Sequence, residues 1–141
     1  MASPKSILTI VIGKSKEDNE VESKMCELVE KAFTTRNLLH FAHLSTKSYA
    51  AHKALGAMYE DIVDKVDSIA EVYQGKFGLL SGLEQCEAEV PADIVKYVED
   101  EAAWLDDNRV FISKGYKPID NMIDDLLALY QSTLYKLKNL S

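Results

Sequence analysis

Residues 40–71 read HFAHLSTKSYAAHKALGAMYEDIVDKVDSIAE, and their periodicity sets the fold class. Two helical patterns meet here across Ser45-Thr46-Lys47-Ser48, with Ser48 placed to cap the second. In that second helix Leu55, Tyr59, Ile62, Val66, Ile69 and Tyr73 recur at three- and four-residue spacing, one apolar stripe on a 3.6-residue period. It is expected to run from about Tyr49 to Gln74, ended by Gly75 and Gly78.

Upstream, Met25, Leu28, Val29, Ala32, Phe33, Leu39 and Ala42 repeat the helical period from about Glu20 to Leu44, with Asp18 or Asn19 as the expected N-cap. Downstream, a connector over residues 77–90 carries Leu79, Leu80 and Leu83 and is expected to pack as a loop or a short turn of helix. A third helix then starts at Pro91, a residue suited to a first helical position, and runs to about Phe111. Lys114-Gly115-Tyr116-Lys117-Pro118 makes a turn. A fourth helix carries Ile119, Met122, Ile123, Leu126, Tyr130 and Leu134 to the end. Glycine (6) and proline (3) are scarce, as long helices require. Helices of this length pack side by side, so the expectation is an all-α four-helix bundle, residues 19–141, whose longer middle connector permits a crossover between helices 2 and 3. Residues 1–18 form a leader with an extended apolar segment at residues 7–12, ended by Gly13; a tail packed on a neighbouring subunit is one reading of it.

Composition narrows function. A net charge of -7 and the lack of a lysine-rich tail argue against nucleic-acid binding, whose affinity comes from cations on phosphates. The apolar run at residues 7–12 is too short to span a bilayer, and no secretory signal pattern is visible. Two cysteines, Cys26 and Cys86, outside any CxxC pair suggest a reduced, cytoplasmic protein.

The chemistry concentrates in residues 40–71. His40, His43 and His52 fall near the junction of the first two helices. At about 100° per residue, His52, Gly56, Glu60, Asp67 and Glu71 share one flank of the second helix, beside its core face. Asp67 and Glu71 are one turn apart. His52 and Glu71 are about 28 Å apart along the axis, so one chain cannot bring both to a single ion. A shared metal requires two antiparallel copies of this helix. Imidazole with carboxylate and no thiolate suits iron, with zinc or manganese as alternatives. Against this stands the ordinary reading, in which such histidines cap carbonyls and such carboxylates face water.

The spacing across residues 40–71 resembles the ferroxidase segment of the Dps proteins, the dodecameric mini-ferritins. His40 and His52 match that family's two histidines, and Asp67 and Glu71 its last two carboxylates. The resemblance implies a ferritin-like bundle and an intersubunit iron site of His40, His52, Asp67 and Glu71. It implies ferroxidase and storage activity, and self-assembly as a dimer or a dodecameric shell. The sequence departs at Gly56, where the family has an Asp ligand; Glu60 and His43 are candidate substitutes. The chain also resembles small ferritin-like proteins encoded by tailed phages. The alternative is a non-catalytic oligomeric bundle, structural or interaction-directed, whose metal site is degenerate and whose helices pack closely at Gly56. Glu101, on the apolar side of the third helix, is a further but weak candidate for an intrasubunit site, since the second helix lacks Glu-x-x-His.

Overall fold

The computed structural model describes residues 16–141, and side chains from residue 24 onward. Four helices follow in order: α1 (Lys16–Ser45), α2 (Tyr49–Phe77), α3 (Ile94–Ser113) and α4 (Lys117–Asn139). No strand occurs among the described residues. The extended reading of residues 7–12 lies outside the described residues. Helix α1 starts at Lys16, so Asp18 and Asn19, expected as caps, are inside it.

Local chemistry fixes the other boundaries. The Ser48 hydroxyl accepts from the Ala51 N–H at 3.2 Å and caps α2 as expected. The helix runs through Gly75 and stops at Gly78, whose φ of 104° frees its N–H to reach the Gln74 carbonyl at 3.0 Å. Gly75 keeps helical geometry because Gly78 supplies the left-handed exit. Pro91 does not open α3. The Asp93 carboxylate takes the Lys96 N–H at 3.0 Å and starts the helix at Ile94. At the other hairpin, Lys114 (φ 53°) and Gly115 (φ 73°) turn the chain, and Pro118 stands in the first turn of α4.

Helix α1 packs on α2 and α3, and α4 packs on the same two. Each neighbouring pair is antiparallel. Along α1, Lys31 meets Glu101 and Thr35 meets Tyr97, so ascending numbers oppose descending ones. Arg109 meets Asp120 and Lys138 meets Glu99 in the same sense between α3 and α4. The connector, residues 78–93, has no helix and lies along α1: the Cys26 thiol donates to the Ser81 carbonyl, and the Glu84 N–H to the Glu30 carboxylate at 3.1 Å.

The core is the sum of the four stripes. Met25, Leu39, Leu55, Ile62, Leu105 and Leu126 are among its fully buried members, each contributing about 1.5–3 kcal/mol. Phe33, expected in the core stripe of α1, is instead 46% exposed, because it faces the connector side. No described helix is long and apolar enough to cross a membrane.

Candidate functional site: the histidine junction

The three imidazoles gather where α1 ends and α2 begins. Helix α1 leaves its last carbonyls without intrahelical partners, and α2 has short Ala side chains at Ala50, Ala51 and Ala54 that let the two helices close up. His43 and His52 stack, with ring centroids 3.7 Å apart and planes 20° apart. Their ring nitrogens are used reciprocally. His43 Nδ1 donates to the His52 carbonyl at 2.6 Å, and His52 Nδ1 donates to the His43 carbonyl at 2.9 Å. A carbonyl only accepts, so both rings carry hydrogen on Nδ1, and in the neutral tautomer each lone pair lies on Nε2. His52 thereby closes one of the orphan carbonyls at the end of α1.

Two further rings complete the stack. His40 lies flat on Tyr59 at 4.1 Å, with a 14° angle between planes, and His43 meets the same Tyr59 edge-on at 5.2 Å. Arg36 also lies over Tyr59, its guanidinium 5.5 Å from the ring centre. All three histidines are half-buried.

Gly56 now has a physical reason. A Cβ built there would lie 3.0 Å from His43 Cε1 and 3.1 Å from its Nδ1. The imidazole of His43 therefore fills the space that a side chain at position 56 needs. The close-packing alternative for this glycine holds, and the packing partner is a ring.

The carboxylates are elsewhere. Asp67 and Glu71 are exposed on the far half of α2, one turn apart, and neither makes an ion pair or hydrogen bond within the described residues. Glu60 is exposed beside Arg36, Tyr59 and Val63 in an open groove. Among the described residues no three His, Cys, Asp or Glu side chains converge as a metal site. The stacked pair does not chelate as it stands, since each lone pair lies in its own ring plane and the two planes face one another. The junction brings together His40, His43 and His52. It leaves Asp67 and Glu71 about 22 and 28 Å further along the helix.

A second polar cluster crosses the middle of the bundle. Lys31 of α1 pairs with Glu101 of α3 at 3.2 Å and lies over Trp104, 4.9 Å from its centre. The Thr35 hydroxyl, fully buried, is 2.8 Å from the Tyr97 phenol. Burial raises the Glu101 carboxyl above its ordinary range, against the pull of the Lys31 ammonium. Burial also pushes the Tyr97 phenol up to about 12, and Tyr130 higher still. For the intrasubunit site considered for Glu101, the cation at hand is thus an internal lysine. The sequence signal for this cluster was Lys31 and Thr35 at a four-residue step, on the flank that also faces Tyr97.

The chain is 28% identical over 116 residues to an uncharacterized 14.6 kDa protein of Enterobacteria phage T4 from the mobD-ri intergenic region, covering 82% of this chain and 88% of that one. No solved structure matches it. The family of unknown function DUF5856 matches residues 43–137, about two thirds of the sequence, from the second histidine of the junction to the last turns of α4. The chain belongs to that family.

Proposed function

We propose that this chain is a non-catalytic, self-associating bundle protein on a ferritin-like scaffold, in which His43 and the Dps-like His52 serve as a clasp between α1 and α2. The observation that carries this reading is the reciprocal bonding of His43 and His52, with the His43 ring in the space vacated at Gly56. Both rings spend their Nδ1 hydrogens on backbone carbonyls, and the position of the expected middle carboxylate is filled. The ferritin-like crossover is supported by the neighbour order α1–α2–α4–α3, by antiparallel contacts around that ring, and by a connector that follows α1. Self-association is supported by exposed Phe41, Leu44 and Tyr49 at the α1–α2 end, a grouping unusual on the surface of a monomer. The outer stripe of α2 adds charge polarity, with Lys53 at one end, next to Lys47 in the preceding turn, and Asp64, Asp67 and Glu71 at the other; an antiparallel second copy meets it with opposite signs. A cytoplasmic setting suits the exposed thiol of Cys86.

A second reading keeps the Dps-type activity, and two observations favour it. Both His43 and His52 hold Nδ1 on a carbonyl, the arrangement that leaves Nε2 available to a metal. Asp67 and Glu71 stand exposed and unpaired within the described residues. Iron(II) as cargo would then be taken between His40 and His52 of one copy and Asp67 and Glu71 of a neighbouring copy, with zinc or manganese as competitors. Ferroxidase activity and storage in a dodecameric shell belong to this reading alone.

Iron(II) loading under air, followed by elemental analysis and light-scattering mass on a sizing column, separates the two. The clasp reading expects an oligomer with equal, low iron in the native chain and in a His52→Ala/Asp67→Ala variant. Iron retained by the native chain and lost in the variant replaces it with the second reading. A monomeric mass overturns both.

A further inference from the structure

We propose that the groove between α1 and the connector receives the last turns of α4 of a second copy, with Tyr135 as the anchor. This contact presupposes the self-association proposed above and adds a head-to-tail interface to it. Beyond its two anchors on α1, at Cys26 and Glu30, the connector stands away from the helix and leaves a cavity of about 380 Å³ over Val29, Phe33 and Leu83. A second hollow continues it along Asn37 and Phe41. Phe33 is 46% exposed, Leu83 50% and Phe41 56%, so the groove presents apolar surface to water along its length. Its rim is acidic: Glu30, Glu84, Glu87 and Glu89. No Lys or Arg is among the described residues that line either hollow. Such a groove fits an apolar side chain carried between cations.

The end of α4 has that chemistry. Tyr135 is 59% exposed, and Lys136 and Lys138 flank it on the helix surface. Residues 126–141 contain no Asp or Glu, in a chain whose net charge is -7. A large aromatic ring between two cations is a strong anchor for an apolar pocket with a carboxylate rim. The two patches also stand at one height on opposite sides of the bundle. Helix α4 packs on α2 and α3 while the connector follows α1, so the diagonal of the bundle separates Tyr135 from its own groove. Lys138 meets Glu99 on α3, and Glu99 lies between Tyr97 and Glu101, the partners of Thr35 and Lys31 on α1. The end of α4 is therefore level with about Phe33, in the floor of the groove. A copy set alongside brings one patch over the other without a shift along the bundle axis. Each copy then fills one neighbour's groove and has its own filled by the next, a contact that repeats and closes into a ring where the rotation allows.

Cys86 supplies the test, because it lines both hollows and is exposed. Asn139→Cys places a second thiol one turn beyond Tyr135 and leaves the anchor intact. Under mild oxidation with diamide, the full chain carrying it should form an interchain disulfide with Cys86, mapped by peptide mass. Asp107→Cys, on exposed α3 surface, gives the reference rate of an undirected thiol. The docked arrangement expects the Asn139→Cys link to form about tenfold faster than that reference, an advantage of held proximity. Adding Tyr135→Ala should remove about tenfold of the rate, as loss of an aromatic anchor does. Each copy offers one thiol at each patch, so the products should run past the dimer as a ladder. Rates equal to the reference overturn the proposal. So do links that join only like thiols, which assign a two-fold contact. The light-scattering mass of the native chain separates the two failures: an oligomer with reference rates removes this contact alone, and a monomer removes self-association with it.

Discussion

Helix α1 carries two polar clusters on opposite flanks, and they are built on different principles. Toward α3, Lys31 and Thr35 enter a closed set: ammonium on carboxylate, hydroxyl on phenol, and no buried polar side-chain atom left without a partner. Toward α2, His40 and His43 enter an open set. The rings stack and each Nδ1 of the central pair is spent, yet Nε2 has no protein partner among the described residues. A closed set contributes only to folding. An open set keeps chemistry in hand, and whether that chemistry is used is the functional question for this chain.

The closed cluster breaks hardest. Lys31→Met leaves Glu101 half-buried as an unpaired charge, and the expected loss is about 3 kcal/mol in urea unfolding. The pH dependence has a definite sign. Burial already holds the folded-state pKa of Glu101 above its ordinary value of 4.5, so ionisation works against the fold. That cost is absent below about pH 4.5 and grows as pH rises through the raised folded value. Removing Lys31 takes away the attraction that limits the shift. The variant's deficit should therefore be full at pH 7 and vanish near pH 4. A Lys31→Met/Glu101→Gln pair should recover most of the loss at neutral pH. A deficit that does not change with pH would show that lost packing on Trp104, and not the charge, carries the effect.

The open cluster responds through sterics first. Gly56→Ala ordinarily gains about 1 kcal/mol of helix propensity. Here the new methyl meets the His43 ring at 3.0 Å, and the ring must give by a few tenths of an ångström against the bond it donates to the His52 carbonyl. The substitution should instead cost about 1 kcal/mol, and in a His43→Ala background it should gain about 1 kcal/mol. The coupling of about 2 kcal/mol measures the clasp. Zero coupling would mean that His43 does not occupy that space in solution.

How much of this was legible in the sequence follows from the range of each interaction. Helix number and order were readable because apolar period is a local signal carried by six or more residues per helix. Ser48 was readable as a cap for the same reason. Gly75 and Gly78 were not distinguishable, since only the backbone dihedral tells which glycine makes the left-handed exit. Pro91 drew the start of α3 three residues early, because the Asp93 side chain caps the helix that begins at Ile94. Phe33 has the periodicity of a core residue, and its exposure depends on where a connector fifty residues away passes. The histidine junction was half legible. The spacing drew attention to His40, His43 and His52 and marked Gly56 as a departure, with close packing as one account. That His43 itself fills the space at Gly56 depends on the crossing of two helices, which no linear pattern encodes.

The smallest effect tests whether the junction acts as one unit. Ser48 caps α2 through the Ala51 N–H, while the clasp works through the carbonyls of His43 and His52; the two share no atom. Ser48→Ala should cost about 1 kcal/mol. Combined with His43→Ala, the losses should add within about 0.5 kcal/mol, as independent contacts do. Hydrogen exchange at the first turn of α2 reads the same point locally, since fraying there should rise with the lost cap and not with the lost ring. A double variant much less affected than the sum would mean that one lesion already frees the whole turn. In that case the imidazole stack holds the hairpin only while Ser48 starts the helix, and the clasp depends on the cap.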